Sequence, residues 1–224
     1  MTAAAKHTVA LRTGFALLVA AYFINSFYGW RHGLIADAVK TLPVLFLCIM
    51  TWSAGGFRLR LFPAALLFSA IGDLCGELGM FMPQIAMFAV AHILYAAFFF
   101  RRLHLDRLSL SAVALLAIAG ISLGAYLIPH IGSPLERVFC GAYIVIISVM
   151  AASATLQRCP LKWLYVAAAL IFMASDATIA FNKFVGHIPH AGVIIMTTYF
   201  AAQYIFARLY IEEQFRNKTD RHIR

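Results

Sequence analysis

The stretch LSLSAVALLAIAGISLGAYLI, residues 108–128, contains no charged side chain and no proline. A helix needs about 20 mostly apolar residues to cross the hydrocarbon layer of a bilayer, and there its backbone polar groups must be satisfied within the segment itself. This stretch meets both requirements. Working outward from it, comparable apolar runs cover 8–28, 35–54, 61–78, 82–100, 134–154, 161–181 and 188–210. Breaks fall where glycine, proline and charge collect: Gly55-Gly56, Pro83, the run from Arg101 to Arg107, Pro129 to Pro134, and Arg158 to Pro160. The pattern predicts an all-α polytopic membrane protein, a single domain of eight transmembrane helices over residues 1–224.

Composition agrees. Hydrophobic residues make up 63% of the chain and charged ones 12%, with a mean hydropathy of +0.85, whereas soluble domains carry about 25% charged residues. The net charge of +9 raises the question of nucleic acid, but that function needs a basic face on a water-exposed domain. Here the basic residues sit in short loops, so no nucleic-acid partner is expected and the charges report orientation instead. Fourteen of the 18 Lys and Arg, among them Arg58, Arg60, Arg101, Arg102, Arg107, Arg158 and Lys162, fall on the side shared by both ends of the chain. Arg31, Lys40, Arg137 and Lys183 fall on the other. Lys and Arg favour cytoplasmic loops, which places both termini in the cytoplasm, and an even number of helices satisfies that placement.

The first run has a short basic lead (Lys6, Arg12) but no small-residue cleavage site before another domain, so it reads as a retained helix. Cys48, Cys75, Cys140 and Cys159 show no paired spacing, which argues against a disulfide framework or a thiolate metal site. Trp30, Trp52 and Trp163 suit interfacial anchors. The absence of an organelle signal, with the strong charge bias, places the chain most simply in a bacterial inner membrane. A faint echo between residues 67–73 and 171–176, both ending on aspartate, suggests a four-plus-four duplication, about 1–105 and 106–215.

Ionisable side chains inside such helices cost about 2.5–3.5 kcal/mol on insertion scales, and each is a functional candidate. They are few: Asp73 and Glu77 in the third helix, His92 in the fourth and Asp176 in the seventh, with Lys40 and Lys183 near helix ends. Ser69, Asp73 and Glu77 are spaced by four and share one helix face. His92 and Tyr95 are spaced by three, Tyr199 and Gln203 by four, and Asp176 and Lys183 by seven. The orientation above puts Asp73, Glu77, Asp176, Asn182, Lys183, Lys40 and Asn25 in the outer half of the bilayer, with His92, Tyr95 and Tyr199 near mid-depth. One polar chamber opening to the non-cytoplasmic side accommodates them. Plainer readings stand beside this one: a hydrogen bond between helices for His92, snorkelling for Glu77 and Lys183, and packing for Tyr95 and Tyr199. The short side chains of Asp73 and Asp176 cannot reach the interface.

Two carboxylates in a low-dielectric cleft differ in proton affinity, so one can act as acid while the other activates water. No Gly-x-Ser-x-Gly motif is present. Only His92 lies inside a helix, with His187 and His190 in a loop, so neither a metal nor another cofactor is expected.

These same residues resemble the lysoplasmalogenase (YhhN-like) membrane proteins. The matching stretches are Ser69-Ala70-Ile71-Gly72-Asp73, then Phe88 through His92 to Tyr95, and Ser175-Asp176 through Asn182-Lys183-Phe184 to Tyr199 and Gln203-Tyr204. Lys40 and Pro43 stand near that family's Lys-Pro region, here split by Thr41-Leu42. The resemblance implies an eight-helix hydrolase that takes a lysophospholipid from the bilayer, cleaving the vinyl ether bond of a lysoplasmalogen to a fatty aldehyde and glycerophosphoethanolamine or glycerophosphocholine. On that reading Asp73 and Asp176 are the acid and base, and His92 and Tyr95 orient a carboxylate or the water. Tyr199 and Gln203 line the pocket with Ser69, Glu77 and Asn182 as further orienting groups, Lys183 or Lys40 holds the phosphate, and an apolar groove between helices takes the chain. The competing reading is a proton-coupled transporter that uses the same intramembrane Asp, Glu and His groups.

Overall fold

The computed structural model describes residues 3–28, 34–55 and 60–222. Among these, eight α-helices follow in order: α1 (Ala3–Tyr28), α2 (Leu34–Gly55), α3 (Leu61–Glu77), α4 (Phe81–Phe100), α5 (Arg107–Leu127), α6 (Pro134–Thr155), α7 (Lys162–Phe184) and α8 (Ala191–His222). Trp30, Arg31, Gly56 and Arg58 lie outside the described residues. Among the described residues, six helices are long and apolar enough to cross a membrane: Ala4–Tyr28, Phe81–Phe100, Arg107–His130, Pro134–Thr155, Lys162–Phe184 and Ala191–Lys218. The described part of α2 adds the shorter apolar helix Val39–Gly55, and α3 has 17 residues. The chain is an all-α integral membrane protein. Its surface agrees, since Leu17, Leu115 and Ile121 are 71%, 68% and 72% exposed. Lipid around such side chains removes the cost, about 25 cal/mol per Å², of leaving apolar area in water.

Local sequence sets the helix ends. Asp106 caps α5 by accepting the Ser109 backbone N–H at 2.9 Å. Ser133 caps α6 by accepting the Glu136 N–H at 3.4 Å, with Pro134 in the first turn, where its missing N–H costs nothing. The turn after α3 passes through Gly79 at φ 70°, with the Met80 N–H donating to the Cys75 carbonyl at 2.9 Å. Trp52 lies under Arg60, whose guanidinium carbon is 3.8 Å from the ring centroid, and Lys162 lies 5.2 Å from the Trp163 ring. A ring with a cation over its face suits a water-lipid boundary.

The chain packs as two units, Met1–Ala91 with Gln203–Arg224, and His92–Ala202. In the first, α2 packs on α1 and α3, and the C-terminal part of α8 joins them through stacked pairs, Phe15 on Tyr204 at 5.1 Å and Phe62 on Tyr210 at 4.6 Å. Gly72 admits the ring of Phe88, which would lie 3.1 Å from any Cβ placed there. In the second, α6 packs on α5 and α7. Its two loops, α4–α5 and α6–α7, are tied by an isolated antiparallel bridge between Leu103 and Gln157. The His104 N–H donates to the Leu156 carbonyl and the Arg158 N–H to the Arg102 carbonyl, each at 2.6 Å.

The helices outrun the apolar runs at both ends of the chain. Hydropathy stops at residue 210, yet α8 continues to His222. An Arg208–Glu212 pair at 2.8 Å and the burial of Glu213 (3% exposed) support the extension.

Candidate active site

Two seven-residue spacings on neighbouring helices build the site of the second unit. Glu136 and Tyr143 lie two turns apart on α6, as Asp176 and Lys183 do on α7, so each pair shares one face. Because a short loop joins these helices, they run antiparallel, and the spacings meet as two rungs. The Tyr143 hydroxyl donates to Asp176 Oδ2 at 2.6 Å, and Lys183 Nζ lies 3.6 Å from Glu136 Oε1.

α4 supplies the third member of the upper rung. His92 Nε2 lies 2.8 Å from the Tyr143 hydroxyl and 3.4 Å from Asp176 Oδ2. Since the tyrosine proton goes to the carboxylate, the hydroxyl oxygen is left to accept, which assigns the Nε2 proton as donor to it. The imidazole is fully buried, and Phe172, one turn before Asp176, meets it edge-on at 4.7 Å. His92 Nδ1 has no hydrogen-bond partner among the described residues. Both bonds to Asp176 fall on Oδ2, leaving Oδ1 outside the network, and the side chain keeps 12% exposure. A carboxylate held this way is fixed in orientation yet reachable, and the low dielectric strengthens each bond.

The remaining residues singled out in the sequence divide between the units. In the second, Tyr199 is buried (3% exposed) and backs Phe172 at 5.4 Å, while Tyr95 is fully buried one turn beyond His92. The Ser175 hydroxyl donates to the Ile195 carbonyl at 3.0 Å and ties α7 to α8 beside Asp176. Asn182 Oδ1 accepts the Ile188 N–H at 2.8 Å, so this amide orders the α7–α8 loop. In the first unit, Lys40 Nζ lies 2.6 Å from Glu77 Oε1. Asp73, one turn before Glu77, is 2% exposed, and Ser69 and Gln203 are fully buried. Lys40 and Glu77 therefore form an ion pair, as Lys183 and Glu136 do. Among the described residues, no three His, Cys, Asp or Glu side chains converge as metal ligands.

Tyr143 and Glu136 were not among the residues drawn from the sequence. A lone tyrosine in an apolar helix reads as packing, and the matched 136/143 and 176/183 spacings were the signal that pairs them. A further face of α6, at Gly141, Ile144 and Ser148, lines an apolar groove of about 530 Å³ against Ala117, Gly120 and Gly124 of α5.

Residues 35–209 match the family model described as the YhhN family. The chain belongs to the YhhN family. This YhhN-family chain is 34% identical over 197 residues to lysoplasmalogenase TMEM86A of Bos taurus, covering 80% of each chain. It is 36% identical to lysoplasmalogenase TMEM86B of Homo sapiens over 75% of this chain and 72% of the relative. A lysoplasmalogenase of Mycobacterium tuberculosis (strain CDC 1551 / Oshkosh) is 28% identical over 77% of this chain and 69% of the relative. No solved structure matches. The family match encloses every site residue from Lys40 to Gln203.

Proposed function

We propose that this YhhN-family chain is a lysoplasmalogenase that hydrolyses the vinyl ether bond of a lysophospholipid drawn from the bilayer. The observation that carries the mechanism is the His92–Tyr143–Asp176 cluster, a carboxylate bonded on one oxygen whose side chain keeps 12% exposure. The names of the relatives support the substrate class.

The chemistry follows from the bond. A carboxylic acid donates its proton to the alkene carbon remote from the ether oxygen, the π electrons form the new C–H bond, and an oxocarbenium ion remains. A carboxylate removes a proton from water as the water oxygen adds to that cation. The hemiacetal then collapses, its hydroxyl proton leaving as the glycerol oxygen gains one, and the C–O bond breaks to give aldehyde and alcohol. Asp176 is one of the two carboxyl groups, with Tyr143 and His92 as its positioning residues. Asp73, buried in a membrane helix where an idle carboxylate would be costly, is the other. Lys183 or Lys40 takes the phosphate, and the α5–α6 groove takes the alkenyl chain. Eight transmembrane spans with both termini cytoplasmic, in a bacterial inner membrane, complete the proposal.

The test is release of long-chain aldehyde from a lysoplasmalogen by purified protein in detergent. Wild type is expected to be active with and without chelator, and Asp73→Asn and Asp176→Asn inactive while still folded. Activity retained in either variant removes that residue from the mechanism, and no aldehyde from folded wild type overturns the activity in favour of a carrier.

A further inference from the structure

Ser133-Pro134-Leu135-Glu136 has the spacing of a capping box, in which the glutamate side chain returns to the N–H of the capping residue. Only half of that box is closed. The Glu136 N–H donates to Ser133 Oγ at 3.4 Å, but the Glu136 carboxylate makes no hydrogen bond among the described residues and turns instead to Lys183 at 3.6 Å. At that separation the two form an ion pair without a hydrogen bond, and the Glu136 and Lys183 side chains are 27% and 38% exposed. The pair between α2 and α3 is closed by comparison, with Lys40 Nζ 2.6 Å from Glu77 Oε1 and only 15% exposed. Glu136 is thus a reachable carboxylate whose acceptor capacity the fold does not use.

Its place relative to Asp176 sets a length. Seven residues separate Glu136 from Tyr143 and Asp176 from Lys183, about 10.5 Å along each helix. Three bonds of an extended chain span about 3.8 Å, so in a lysoplasmalogen the six bonds from the ether-bearing alkene carbon to phosphorus span about 7.6 Å, and the ten to the headgroup nitrogen about 13 Å. The Glu136–Lys183 rung falls between these two distances from the rung that holds Asp176. Phosphorus and nitrogen are themselves at most about 5 Å apart, which lets the headgroup lie antiparallel to the Lys183–Glu136 pair with each charge against its opposite.

We propose, resting on the lysoplasmalogenase reading above, that Glu136 is a specificity-determining residue: it takes the ammonium of a zwitterionic lysolipid headgroup while Lys183 takes the phosphate. A headgroup that ends in phosphate brings no cation to Glu136, and the carboxylate repels it. The selection acts through charge, for zwitterionic over anionic lysolipids, and treats ethanolamine and choline alike.

The experiment reads binding rather than turnover. Purified protein in detergent is titrated, by microscale thermophoresis, with saturated 1-O-alkyl lysolipids of matched chain, which lack the reacting double bond and carry a phosphoethanolamine or a phosphate headgroup. Wild type is expected to favour the ethanolamine form about fivefold, the size of a partly exposed ion pair. Glu136→Gln should weaken the ethanolamine form and strengthen the phosphate form, a crossing that loss of structure would not produce. Glu136→Asp keeps the charge and should keep the preference, with thermal midpoints reporting the folding of each variant. An N-acetylated ethanolamine headgroup, offered to wild type, should lose the same advantage and needs no variant to fold. Equal affinity of wild type for the charged and acetylated headgroups, or a preference that survives Glu136→Gln, overturns the inference. Aldehyde release from the vinyl ether substrate is read in parallel: its absence with the preference intact removes the hydrolysis and leaves Glu136 as the headgroup reader of a lipid carrier.

Discussion

Replacing Tyr143 with phenylalanine removes one oxygen and leaves the ring, which meets the His92 imidazole edge-on at 5.5 Å. That oxygen donates to Asp176 Oδ2 at 2.6 Å and accepts from His92 Nε2 at 2.8 Å. Without it the imidazole reaches the carboxylate only across 3.4 Å, so Asp176 loses its one short bond and its fixed orientation. Hydrogen bonds to a charged group contribute about 1.5–3 kcal/mol. If the bond holds Asp176 in its reacting geometry, the same amount is lost from the transition state, and kcat falls roughly 10- to 150-fold. The hydroxyl has no proposed contact with substrate, so KM should stay near wild type, and the loss appears in kcat alone. Aldehyde release at varied lysoplasmalogen concentration reads both constants, with the thermal midpoint as a folding control. A folded Tyr143→Phe variant with kcat within about twofold of wild type, or one altered only in KM, would refute the positioning role.

Three further outcomes follow from geometry elsewhere. Lys183→Gln should raise KM several-fold and leave kcat unchanged if Lys183 holds phosphate, and its effect on thermal midpoint should be small, because its 3.6 Å pair with Glu136 is partly exposed and such pairs contribute about 0–1 kcal/mol. Gly72→Val should destabilise by about 1–3 kcal/mol in a thermal melt, since the new side chain meets the Phe88 ring directly; an unchanged midpoint would show that α3 and α4 separate at no cost. Hydrogen bonds from Lys162, then from the Ser109 backbone and hydroxyl, hold Asp106 below the usual carboxylate range. Its contribution to stability is therefore complete above about pH 4 and lost as pH falls through the depressed folded value. Asp106→Asn keeps a capping side chain and should flatten the acid limb of a midpoint-against-pH curve, an effect absent if the carboxylate contributes nothing.

Much of the architecture was legible because lipid imposes a simple rule on sequence. Residues 108–128 and 134–154 announced α5 and α6 almost to the residue, since apolarity and length are the whole requirement there. α8 was read short for the converse reason: beyond Tyr210 the helix is held by side-chain pairing such as Arg208–Glu212, to which hydropathy is blind. At the site, Asp176 and His92 stood out because their cost in a membrane is high. Tyr143 did not, because a phenol is tolerated in lipid with or without a task. Only its place opposite Asp176, visible once α6 and α7 are paired, gives it one. Asn182 stood out for its polarity, and hydropathy gives no sign that its amide oxygen is engaged by the α7–α8 loop.

The two units are interleaved along the chain, and that bears on how the protein is made. His92–Ala202 is a continuous insert, whereas the other unit is completed only by Gln203–Arg224. During synthesis the inserted unit is therefore finished first, while α1, α2 and α3 wait for the segment that completes their unit. Until the last segment arrives, Phe15 and Phe62 lack the rings of Tyr204 and Tyr210 that stack on them. A nascent chain arrested before residue 203 would present those faces to lipid or to a membrane-resident chaperone, which makes the waiting α1–α3 bundle the stage of biogenesis most exposed to quality control.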